Sequence, residues 1–196
     1  MRRTMVINLD RCSGCDSCVA VCKYANHLPL GKYYNRVVRV GPTGKFPNVE
    51  RYWLPVNCQQ CEHPQCIAVC PTGASYRDKK TGVVLVNTKK CIGCEYCVYA
   101  CPYGVRVFRE DLGVVEKCTL CFHRTADGSD VPECVHNCPT AARFYGDIDD
   151  PESPASKELA KYPKECIHHL PDSVGASPSV RYILSPEIAK WKEITK

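Results

Sequence analysis

Sixteen of the 17 cysteines in this chain fall into four groups of four. The first group is Cys12, Cys15, Cys18 and Cys22, and the second is Cys58, Cys61, Cys66 and Cys70. The third is Cys91, Cys94, Cys97 and Cys101, and the fourth is Cys118, Cys121, Cys134 and Cys138. Sets of four thiolates bind zinc or iron–sulfur clusters. Groups one and three share C-x2-C-x2-C-x3-C, which is a run that holds 4Fe–4S clusters. Zinc would be expected to recruit histidine at ligand spacing as well. His63 lies inside group two, where four cysteines already serve, and it reads as an exposed loop residue. His27, His123 and His136 give no ligand pattern, and His168-His169 reads as surface. A disulfide framework needs export and favours an even count. Here the count is odd, and Met1-Arg2-Arg3 is followed by no apolar signal region. The reading is therefore four 4Fe–4S clusters on sixteen cysteines, with Cys166 left as a free structural thiol.

The spacing has a geometric reason. Three cysteines set two residues apart place three thiolates on one tight loop around one face of a cube. Gly14 and Gly93, at equivalent positions, let the backbone pass close to the sulfides and donate N–H groups. The fourth cysteine follows after three intervening residues, on a short helical turn, and ligates the other cluster of a pair. Proline comes next in three groups, at Pro71, Pro102 and Pro139, and ends that turn. Strand-like runs then follow: Ala74-Ser75-Tyr76, Val105-Arg106-Val107-Phe108 and Ala142-Arg143-Phe144-Tyr145.

The elements that must carry these loops are short. At 196 residues the chain is one domain or two small ones. No run approaches the roughly 18 apolar residues that span a bilayer. Residues 23–52 read as a hairpin, with Arg36 to Val40, a turn at Gly41-Pro42-Thr43-Gly44, then Val49 to Leu54. Beyond Asp147, Ser153-Pro154 reads as the start of a short helix, and Ser185-Pro186 as the start of another carrying Ile188 and Trp191. This last part looks too polar for a core of its own and suited to lying on a larger subunit.

Other chemistries find little support. The net charge of +5 would suggest nucleic acid. Four clusters of about −2 each, thiolates included, bring the total to about −3. No nucleic-acid partner is expected. There is no nucleotide-binding glycine loop, nucleophile elbow or HExxH helix. A self-contained enzyme using Cys166, and a zinc-stapled interaction module, are the competing readings.

Three stretches carry a family resemblance: Cys58 to Cys66, Cys91 to Gly104, and Lys117 to Arg124. They resemble the four-cluster electron-transfer subunits of dimethyl sulfoxide reductase-type molybdenum oxidoreductases. These include the dimethyl sulfoxide, polysulfide, tetrathionate and arsenate reductases and related dehydroxylases. The resemblance covers about residues 1–147. It implies an α+β fold of two nested ferredoxin-like domains, with a hairpin insertion and an extended C-terminal tail. The outer domain would be 1–22 plus 112–147, the insertion 23–52, the inner domain 53–111, and the tail, contacting a partner, 148–196.

The resemblance also implies that groups one and four pair, as do groups two and three. Cluster 1 would then sit on Cys12, Cys15, Cys18 and Cys138, and cluster 2 on Cys22, Cys118, Cys121 and Cys134. Cluster 3 would take Cys58, Cys61, Cys66 and Cys101, and cluster 4 Cys70, Cys91, Cys94 and Cys97. The implied function is non-catalytic electron transfer. Its partner would be a catalytic subunit holding a molybdenum bis-pterin guanine dinucleotide, with cluster 1 nearest that subunit. A membrane anchor handling quinol would serve the cluster 4 end. The expected location is the extracytoplasmic membrane face, exported with the partner. The alternative is the iron–sulfur subunit of a soluble cytoplasmic oxidoreductase or dehydrogenase without an anchor.

Overall fold

The computed structural model describes residues 1–192. Sixteen helices and strands follow one another, with a 3-10 turn at Lys164–Cys166 near the end. They begin with β1 (Arg3–Asn8), α1 (Ser17–Ala25), the long strands β2 (Asn35–Lys45) and β3 (Asn48–Asn57), and α2 (Gln65–Ala68). Next come β4 (Ser75–Arg77), β5 (Val84–Val86), α3 (Tyr96–Tyr99), β6 (Arg106–Arg109) and β7 (Val114–Lys117). The rest are α4 (Phe122–Thr125), α5 (Glu133–His136), β8 (Arg143–Asp147), α6 (Pro154–Leu159), β9 (Ile167–His168) and β10 (Arg181–Ile183). The three strand-like runs after the Cys-Pro turns are β4, β6 and β8, and each begins at the residue after an alanine or valine.

The largest sheet has the order β8-β1-β10-β9. β1 lies in its interior, antiparallel to β8 and parallel to β10. Its alternation shows how it is buried on both sides. Met5 and Ile7 face the main core, while Val6 packs with Ala155 and Ile183 under α6. Three two-stranded hairpins complete the fold: β2-β3, β4-β5 and β6-β7.

Several sequence expectations change here. The β2–β3 hairpin does not turn at Gly41-Pro42-Thr43-Gly44. That segment is a register shift between Val40 and Thr43, and the strands run on to Lys45 and Asn48. The turn falls at Phe46-Pro47. Gly41 and Gly44 supply the positive φ angles (97° and 94°) that a bulged strand needs.

The C-terminal segment is no loose tail. β10 enters the main sheet beside β1, and Val180, Tyr182, Ile183 and Leu184 are buried. α6 forms as expected, with Ser153 Oγ accepting from Ser156 N at 3.2 Å and Pro154 in its first turn. The second expected helix is a single turn, Ile188 N to Ser185 O at 2.9 Å. Ser185 is engaged elsewhere: its N–H donates to Asp10 Oδ1 at 2.9 Å and its hydroxyl to Asp10 Oδ2. Trp191 packs on its own chain, stacked on His168 with ring centroids 4.7 Å apart. His168 is accordingly half-buried and not a surface residue.

This segment fastens the ligand loops. Leu9 N donates to Ile183 O at 2.7 Å, and Arg11 pairs with the buried Glu158 at 3.4 Å, just before Cys12. Around Cys61, Ser179 N donates to Gln59 O and Glu62 N to Ser177 O. Group-one and group-two loops are thus held by one C-terminal run.

Candidate functional site

The sixteen grouped cysteines come together in four sets, each taking three residues from one group and one from another. Cys12, Cys15, Cys18 and Cys138 line one cavity. Cys22, Cys118, Cys121 and Cys134 line a second. Cys70, Cys91, Cys94 and Cys97 line a third. Cys58, Cys66 and Cys101 surround Cys61: burial pushes its thiol up, and these three neighbours push it further. Cys166 is buried and lines none of the three cavities. His63 is exposed, and its backbone N–H bonds Ala176 O.

Local structure explains the placement. In group one the loop passes through Gly14 at φ 69° and Asp16 at φ 58°, then enters α1. In group three it passes through Gly93 at φ 70° and Glu95 at φ 60°, then enters α3. Two left-handed residues around the second cysteine curl each loop tightly. Cys18 and Cys22 are four residues apart on α1, so Cys22 lies about 6 Å farther along the axis. That step carries it from the first cavity into the second. Gly14 and Gly93 serve close packing as much as backbone approach. A Cβ on Gly14 would lie 2.2 Å from Trp53 Cδ2, and one on Gly93 2.6 Å from Gly113 O.

The electrostatics of the thiols suit metal ligands. Burial pushes Cys118 up to about 12 and Cys121 up to about 11. It raises Cys12, Cys22, Cys66, Cys97 and Cys134 as well. Cys70 and Cys138 go the other way. Burial raises them, but the N–H of Ser75 at 3.4 Å and of Ala142 at 3.3 Å, with hydroxyls of Thr72 and Thr140, bring both below the ordinary value. Buried thiols held high become ligand thiolates only where a metal takes the place of their protons.

Several further features fit an iron–sulfur group. The sulfurs stand around a cavity, as a cube requires and a single zinc ion does not. Asn35 Nδ2, in the wall of the Cys22 cavity, is buried with no hydrogen-bond partner among the described residues. Tyr103 OH, beside Cys61 and Cys101, is in the same position. Both are donors that a sulfide or thiolate sulfur would satisfy.

Three side chains of the site escaped the sequence reading: Arg106, Lys117 and Arg143, all buried. A signal for two of them was present. Arg106 and Arg143 each stand five residues after the last cysteine of their group, within a Cys-Pro repeat.

Comparison with known proteins finds iron–sulfur relatives. A family model described as a 4Fe-4S dicluster domain matches residues 49–148. A Halobacterium salinarum protein named for the iron–sulfur subunit of dimethyl sulfoxide reductase is 41% identical, over 91% of this chain and 78% of its own length. A sulfite dehydrogenase subunit of Allochromatium vinosum is 44% identical, over 78% of this chain and 71% of its own. A tetrathionate reductase subunit of Salmonella typhimurium is 38% identical, over 93% and 72%. With this ligand pattern and these relatives, the chain belongs to the family of 4Fe–4S electron-transfer subunits of dimethyl sulfoxide reductase-type oxidoreductases.

Proposed function

We propose that this chain is the electron wire of a molybdoenzyme complex, carrying four 4Fe–4S clusters on its sixteen grouped cysteines. The observation behind this reading is the four-by-four arrangement of thiols, in which each set borrows one cysteine from a second group. In order, Cys138, Cys22, Cys101 and Cys70 are the borrowed or exchanged ligands of sites 1 to 4. The pairing of β1 with β8 supports the nested architecture, because it joins residues 3–7 to residues 143–147 around the intervening chain. When bound, each cluster takes up and gives up single electrons through its irons. The chain's own residues hold the four centres in a row and shield them from water.

Neighbouring sites lie close. Cys134 of site 2 feels Cys18 of site 1, and Cys118 of site 2 feels Cys58 of site 3. These contacts support a row in the order 1-2-3-4, with the exchange of Cys70 and Cys101 joining sites 3 and 4. Site 1 faces a catalytic subunit with a molybdenum bis-pterin guanine dinucleotide, and site 4 faces the electron donor, a quinol-handling anchor or a soluble protein. Among the described residues no helix is long and apolar enough to cross a membrane. Attachment to a membrane would come through a partner, on the extracytoplasmic face after export with the catalytic subunit.

The test is anaerobic iron and sulfide analysis of the chain isolated with its native partners. About sixteen irons per chain are expected. Eight irons, or stoichiometric zinc, would overturn the assignment. Molybdenum in the co-purifying subunit, and its recovery from an extracytoplasmic fraction, check the partner and the location.

A further inference from the structure

A buried cation stands at each of the three boundaries between neighbouring cysteine sets. Arg143, 4% exposed, lines both the site 1 and the site 2 cavity. Its Nη1 donates toward Cys134 Sγ at 3.5 Å, and its Nη2 donates to Asn35 Oδ1 at 3.0 Å. Arg106, also 4% exposed, donates from Nη1 to Ser75 Oγ at 3.0 Å, in the wall of the site 4 cavity. The Arg106 guanidinium lies beside the sulfurs of both Cys66 in site 3 and Cys97 in site 4. Its Nη2 is buried and has no partner among the described residues. Lys117, 1% exposed, donates from Nζ to the carbonyls of Val84 and Cys118, the latter at 2.8 Å. Its charge reaches Cys66 of site 3 and Cys118 of site 2.

Among the described residues none of the three forms a salt bridge with a carboxylate. An unpaired buried cation is expensive, so each needs an anion nearby. The groups available on both sides are the cysteine sets, which on the four-cluster reading carry about −2 each. The sequence repeats the device. Arg106 and Arg143 occupy the same register after Cys101-Pro102 and Cys138-Pro139, and each opens a strand. At the same register after Cys70 stands Ser75, the hydrogen-bond partner of Arg106.

We infer that Arg143, Lys117 and Arg106 are shared potential-setting residues, each raising the reduction potentials of the two clusters it separates so that adjacent sites move together. The physics is direct. A cluster gains one negative charge on reduction, and a fixed cation in a low-dielectric wall favours the reduced form. A cation shared by two clusters acts on both, and it also offsets their mutual repulsion. The inference rests on the four-cluster reading.

The experiment is an EPR-monitored redox titration of the cluster-loaded chain in its native complex, with iron content measured for every sample. Arg143→Gln should shift the midpoints of sites 1 and 2 downward and leave 3 and 4 unmoved. Lys117→Met should shift sites 2 and 3, and Arg106→Gln sites 3 and 4. Arg143→Lys and Arg106→Lys should recover most of the shift, since charge and not shape is at work. Iron lost in a neutral variant but kept in its lysine counterpart agrees with the inference. Iron lost from both, a shift confined to one neighbour, or four unmoved midpoints at full iron content overturns it. An iron count near eight in the unaltered chain would instead defeat the four-cluster reading.

Discussion

The loops of groups one and three begin alike and end differently. Both pass a glycine near φ 70°, then a left-handed acidic residue, and both place the third cysteine at the second position of a helix. They part at the residue after the fourth cysteine. Pro102 follows Cys101, and α3 stops at Tyr99 after four residues. Lys23 follows Cys22, and α1 runs on to Ala25 for nine. Lys23 then turns the chain outward, its Nζ donating to Pro29 O at 2.7 Å and Lys32 O at 2.9 Å. The proline returns the chain at once as β6, whereas the lysine sends it into the β2–β3 hairpin. One ligand loop therefore serves two connections, and a single residue after it selects between them.

Each loop is also roofed by a hairpin, through different atoms. Trp53 of β3 lies on Gly14, while the Gly113 carbonyl and Phe108 of the β6–β7 hairpin lie on Gly93. A side chain covers one loop and backbone covers the other, which makes their tolerances unequal.

Exchanging the exit residues should have the largest effect. Lys23→Pro places proline inside α1 and should cost about 3 kcal/mol or more. Pro102→Ala, at a helix end, should cost less than about 1 kcal/mol. Anaerobic thermal unfolding of the cluster-loaded chain, at one scan rate, compares them. Equal losses would remove the distinction drawn between the exits.

Next come the glycines. Gly14→Ala and Gly93→Ala each force a side chain into the left-handed region, at about 1–2 kcal/mol before any clash. Adding Trp53→Leu should recover part of the Gly14→Ala loss and none of the Gly93→Ala loss, because the obstacle at Gly93 is mainly backbone. Rescue of both by Trp53→Leu would show that the roofs are coupled. An effect about half that of Lys23→Pro is expected from Lys23→Met. It leaves two carbonyls without their charged donor, at about 1.5 kcal/mol. Proteolysis should then cut faster at residues 26–34, while iron at the Cys91 site stays complete.

The cysteine spacing alone was enough to place the tight cysteine loops, the short helices that lead to each fourth cysteine, and the strands after each Cys-Pro. Those features are local: a repeat of three residues, a ring-locked φ and a missing N–H act within a few residues of chain. The β2–β3 strands were equally visible, but their turn was not. Gly41-Pro42-Thr43-Gly44 has the composition of a turn, and only pairing with Glu50 and Tyr52 across the ladder makes it a bulge. Ser185-Pro186 has the composition of a helix start, yet Asp10, 175 residues away, takes both the hydroxyl and the N–H of Ser185. The segment holding β10 looked polar because its apolar run, Val180 to Leu184, is short and sits among polar residues. Tyr182 turns to one core and Ile183 to the other, which matters only once β1 lies alongside. Arg106 and Arg143 read as ordinary polar residues in strands. Tertiary structure alone made them buried cations, because it set cysteines from separate groups on both sides of each guanidinium, and a charge acquires its role from what the fold brings near it.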